Sequence, residues 1–89
     1  MPLLLVTFDS IKSGHDHPKL LDEIMSYSNI RLSDTSYAII TDKTPGVVCE
    51  ELKKQISAND NLYIINLKRP YAGVGSTLVI DWLKKELRD

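Results

Sequence analysis

A chain of 89 residues fits a single domain, residues 1–89. Folding at this size hides only roughly 60% of the surface that the unfolded chain exposes. With 43% apolar and 26% charged residues, the composition is ordinary for a globular protein and argues against intrinsic disorder. A net charge of −1 gives the molecule as a whole no attraction for nucleic acid, and the single cysteine, Cys49, excludes an internal disulfide and fits a reducing compartment.

The first element is LLLVTFD. Residues 3–8 read as a strand, with Leu4, Val6 and Phe8 on one face and Leu3, Leu5, Thr7 and Asp9 on the other. Both faces are apolar enough for a central strand that is covered on both sides. A carboxylate ending such a strand has two readings. Either the strand has reached solvent and a turn begins, or Asp9 stands at the rim of a sheet to hold a metal ion.

The apolar start is too short to cross a bilayer and lacks the basic lead of a signal peptide, so a cytoplasmic, membrane-free protein is expected. SIKSGHDHP then reads as a loop. His15, Asp16 and His17 are metal-ligand types, but their spacing is no recognised zinc pattern and no second cluster completes four ligands.

Pro18 suits the first turn of a helix, which the Leu20, Leu21, Ile24 and Tyr27 stripe carries through KLLDEIMSYS. Strands follow around Ile30–Leu32 and Ser36–Thr41, joined by a Ser33-Asp34-Thr35 turn. Thr44 is the expected N-cap of a second helix that has Pro45 at its first position and buries Val48, Leu52 and Ile56. Cys49 on this helix lies next to Glu50, where negative charge disfavours a thiolate.

LYIINL, residues 62–67, reads as the last strand, with Leu62 and Ile64 on one side and Tyr63, Ile65 and Leu67 on the other. The loop KRPYAGVGS leads to a third helix, about residues 76–87, with Val79, Leu83 and Leu87 inward and Ile80 and Trp82 at the margins. Its Gly-x-Gly lacks both the third glycine of a dinucleotide fingerprint and the Lys of a P-loop, and reads as a connector. Tyr71 and Trp82 are stacking candidates for bases, although Trp82 fits a core or interface role better. Lys68, Arg69, Lys84, Lys85 and Arg88 form either a basic patch or a solvated surface.

The order is βαββαβ plus a helix. It predicts an α+β, ferredoxin-like domain in which residues 3–67 form a four-stranded antiparallel sheet with both internal helices on one face. The other face, carrying Leu3, Leu5 and one side of LYIINL, is too apolar to stay wet. The expected cover is a second copy of the chain, a homodimer, helped by the C-terminal helix.

Three stretches carry a family resemblance. LLLVTFDSIK, with its Phe8-Asp9 pair, resembles the first strand of the CRISPR-associated Cas-two proteins; SDTSYAIITD resembles their second hairpin arm, and NDNLYIINL their last core strand. The pattern is also similar to the SinR-like bacterial proteins and to virulence-associated protein D. The resemblance implies a ferredoxin-like homodimer with a nucleic-acid-associated role. It also implies a Mg²⁺-dependent endonuclease or ribonuclease that acts on RNA or DNA and holds the metal with the catalytic Asp9 of each subunit. The rival reading is a non-catalytic homodimeric binding or assembly protein that keeps the scaffold without nuclease chemistry.

Overall fold

The computed structural model describes residues 3–9, 18–56 and 60–87. The elements in chain order are β1 (Leu3–Asp9), α1 (Pro18–Met25), β2 (Ser28–Ser33), β3 (Ser36–Ile40), α2 (Pro45–Leu52), β4 (Asn61–Leu67) and α3 (Thr77–Glu86). The strands form one antiparallel sheet in the order β2-β3-β1-β4. Chain order and strand order together are consistent with a ferredoxin-like arrangement, in which each βαβ unit straddles a strand of the other.

The core follows from alternation along β1. Leu4, Val6 and Phe8 are buried with Tyr37 and Ile39 of β3, Leu20 and Ile24 of α1, and Val48 and Leu52 of α2. Leu62 and Ile64 of β4 pack at the margin. Cross-strand register explains the set, since Val6 pairs with both Tyr37 and Ile64, and directly paired residues share a face. The Phe8 and Tyr37 rings stack, with centroids 6.5 Å apart.

Both internal helices begin where their sequence signals lie. Pro18 opens α1, and Thr44 caps α2 by accepting from the Val47 N–H at 3.3 Å, with Pro45 following. Removing an N-cap hydroxyl typically costs about 1 kcal/mol. Thr44→Ala should therefore lower the urea midpoint by the equivalent of about 1 kcal/mol at unchanged slope.

Both helices end earlier than their apolar stripes suggest. α1 stops at Met25, where the Tyr27 N–H bonds to the Ile24 carbonyl in a tight turn and the chain enters β2 at Ser28. α2 stops at Leu52 and tightens into a single 3₁₀ turn, Lys53–Gln55, so Ile56 leaves the helix but still packs against the core. Apolar spacing reports which residues are buried; the next strand decides where the helix must release the chain. The β2–β3 turn is also shorter than expected. Ser33 pairs with Ser36, leaving only Asp34 and Thr35 between them.

The second sheet face is only partly covered. Ser76 caps α3 through the Leu78 N–H, 3.1 Å away, and α3 lies at β2, where Val79 and Leu83 share a groove with Ile30. Leu3 and Leu87 are buried outside the helix-side core. Val79, Ile80, Trp82 and Leu83 are half-buried, so the expected inward stripe of α3 is only loosely packed. Over β4, Tyr63 and Ile65 stay 60% and 51% exposed. No helix among the described residues is long and apolar enough to cross a membrane.

Candidate functional site

Asp9 is the last residue of β1 and is exposed. Its register partner is Asn61, the first residue of β4, and Asp60 precedes that partner. Two carboxylate residues thus reach the same end of the sheet from segments some fifty positions apart. The contribution of Asp60 was not legible in the sequence, because it depends on register.

The second face changes character along β1. At one end Leu3 pairs with Ile40 and Leu67, then Leu5 with Ala38 and Ile65. Next, Thr7 pairs with Ser36 and Tyr63, and the Thr7 and Ser36 hydroxyls lie 3.1 Å apart. The strip therefore runs from apolar side chains to three hydroxyl groups and then to Asp9. An oxygen-rich rim with one open carboxylate suits a hard, hydrated cation, which takes one or two carboxylates and keeps several waters.

Among the described residues, those expected to form a basic patch lie elsewhere. The Arg69 guanidinium donates to the Lys84 carbonyl at 3.4 Å, bringing the Lys68-Arg69 segment beside the last turn of α3 with its Lys84 and Lys85. Four of the five residues expected to form a basic patch thus belong to neighbouring segments; the fifth, Arg88, lies outside the described residues. Lys68 and Arg69 follow Leu67, which pairs with Leu3, so they sit at the sheet end opposite Asp9. Six residue steps along β1 separate the two ends, about 20 Å. At the Asp9 end Arg31 is paired with Asp34.

His15, Asp16, His17 and Lys12 also lie outside the described residues. Cys49 is a half-buried free thiol on α2. Gly73 and Gly75 stand in open space, so a side chain at either position would meet nothing within 4 Å. Trp82 is half-buried, and Tyr71 is exposed on the wall of the groove below α3.

A polar cluster that the sequence did not announce joins three segments on the helix side. The Tyr27 hydroxyl donates to Glu51 Oε1 at 2.7 Å, and Lys43 Nζ donates to both Glu51 oxygens at 3.0 and 2.9 Å while lying 5.2 Å from the centre of the Tyr27 ring. Lys43 holds the Glu51 carboxyl below the ordinary glutamate range, and Glu51 in turn raises Lys43. Burial, followed by donation to Glu51, raises the Tyr27 hydroxyl.

The signs fix where each group matters. A depressed carboxyl pKa contributes stability above its unfolded value and loses it as pH falls through the folded one; the raised groups lose theirs only on the alkaline side. Glu51→Gln should therefore flatten the acid limb of a stability–pH profile below the ordinary glutamate pKa and leave the slope near neutrality unchanged, as read by urea titrations across pH.

Compared with models of known protein families, with curated proteins and with solved structures, the chain matches none.

Proposed function

We propose that the chain is a cytoplasmic, ferredoxin-like homodimer of the Cas-two-like kind, joined through the open half of its second sheet face. Asp9 of each copy holds Mg²⁺ for cleavage of a phosphodiester in RNA or DNA. The observation that carries this reading is the position of Asp9. It is exposed at the hydroxyl-lined end of the same face on which Tyr63 and Ile65 are left bare.

Bound there, the ion would polarise a phosphoryl oxygen and lower the pKa of a water nucleophile. The protein's own part is to fix the Asp9 carboxylate on a rigid strand, with Thr7, Ser36 and Tyr63 lining the approach. In the overall reaction water adds to phosphorus, one P–O ester bond breaks, and the departing sugar oxygen takes a proton.

Pairing the two carboxylates sets a condition on symmetry. A two-fold axis along the strands, or through the rim itself, brings the Asp9 residues together. An in-plane axis across the strands at Leu5 and Ile65 instead directs each Asp9 towards the partner's opposite sheet end. Asp9→Cys in a Cys49→Ser background distinguishes them: an oxidised cross-linked dimer is expected for the first arrangement.

Activity is tested by incubating the protein with single- and double-stranded RNA and DNA, with Mg²⁺, Mn²⁺ or a chelator, beside Asp9→Ala. Metal-dependent cleavage that the variant loses by roughly 100-fold or more is expected. Equal cleavage by the variant, or none by the native chain, ends the nuclease reading.

The net charge of −1 and the position of Lys68 and Arg69 at the sheet end opposite Asp9 favour a second reading, a dimer that binds or assembles without chemistry. A stable dimer without cleavage is its signature.

A further inference from the structure

We infer that the outer edge of β2 is a docking strand for an extended, carboxylate-bearing segment of another protein, which adds to the sheet beneath α3. This inference does not rest on the Asp9 reading. β2 is one of the sheet's two outer strands, and among the described residues no backbone hydrogen bond joins it to anything but β3. Its outward N–H and C=O groups are therefore a template for another strand.

Beside it runs an open groove of about 1070 Å³, lined by the consecutive residues 30–33 of β2, by 71–76, and by one side of α3. Neighbouring residues of a strand point to opposite faces. Ile30 and Arg31, which precede the register shift between Arg31 and Ser33, point to opposite faces and both line the groove, so it reaches round the strand's edge.

Its walls are largely apolar, and part of them is left uncovered. Leu32, Tyr71, Leu78 and Val74 are 37%, 41%, 71% and 103% exposed, and all four line it. Such a patch beside an unpaired edge fits a strand with apolar side chains at alternate positions, the hydrogen bonds giving affinity and the pockets specificity.

Charge selects the occupant. Among the described residues no Asp or Glu lines the groove; Arg31 does, but it is paired with Asp34 and donates to the Ser33 carbonyl at 3.3 Å, closing the turn end of the edge. Lys84 remains as a lining cation with no carboxylate partner among the described residues. A second copy paired β2 to β2 would add another unpaired Lys84 and no complement to it, whereas a segment carrying Glu or Asp complements the lysine.

The test uses the full chain and a fluorescein-labelled EVTVTVE peptide in anisotropy titrations. Controls are KVTVTVK and two versions of the acidic peptide, each N-methylated on one alternate set of amides. Expected are micromolar binding, a loss of about tenfold or more with the Lys-ended peptide, and a similar loss with one N-methylated version but not the other. Hydrogen exchange of β2 amides should slow when the peptide is added. Leu78→Glu, at a site already exposed, should weaken binding by about tenfold or more while leaving the fold intact.

No binding at about 1 mM peptide would overturn the proposal. So would equal binding of both N-methylated versions, the mark of an apolar cavity rather than a strand slot. Protection of β2 that rises with protein concentration alone would assign the edge to a second copy and also overturn it.

Discussion

Ile39→Ala is expected to lower the free energy of unfolding by about 2–5 kcal/mol, the range for deleting a fully buried large aliphatic side chain. Ile39 lies on β3, inside the sheet between β2 and β1; it pairs with Leu4, and both are 0% exposed. It belongs to the cluster that joins the sheet to α1 and α2. Rigid neighbours on the sheet cannot collapse into the space left behind, so a cavity term adds to the lost transfer energy. A domain this small has little stability in reserve, within the usual 5–15 kcal/mol. Urea unfolding followed by circular dichroism should show a much lower midpoint at unchanged slope. A loss below about 1 kcal/mol would mean that the helix side of the sheet is not the core.

Ile65→Glu should have the opposite profile: little effect on the fold and a large one on assembly. The side chain is already 51% exposed beside Tyr63, so a carboxylate there keeps most of its water in a lone subunit. At the centre of a two-fold interface the same carboxylate would face a desolvated apolar surface, and truncating or charging a central anchor costs about 2–4 kcal/mol. The dimer constant should weaken by roughly 30-fold to 1000-fold, measured by sedimentation velocity across concentrations. Leu5→Glu acts on the same face but from a half-buried position, so it should yield monomers or insoluble protein. A native chain that stays monomeric at high concentration, or an Ile65→Glu variant that dimerises normally, would remove the sheet-face interface. The Asp9 pairing would fall with it.

The edge of β2 offers a different surface on the same small sheet. Face pairing over β1 and β4 and strand addition at β2 use separate residues, so one subunit has room for both. A variant at Leu78 and a variant at Ile65 should therefore be independent in their effects, as expected for sites without shared contacts.

What the sequence determined by itself was local. Alternation over seven residues assigned Leu4, Val6 and Phe8 to a common buried face, and Thr44-Pro45 marked the start of α2, because pleat and capping are settled by a few neighbouring residues. The order of the elements then pointed to four antiparallel strands. Tertiary structure alone decided the rest. It ended α1 at Met25 and α2 at Leu52, laid α3 at β2 so that Tyr63 and Ile65 stay bare, and gathered Thr7, Ser36 and Tyr63 next to Asp9. It also brought the Arg69 guanidinium to the Lys84 carbonyl and tied Tyr27 to Lys43 and Glu51. Each of these depends on register and packing between segments distant in the chain, and the periodicity of one segment carries no information about what another will cover.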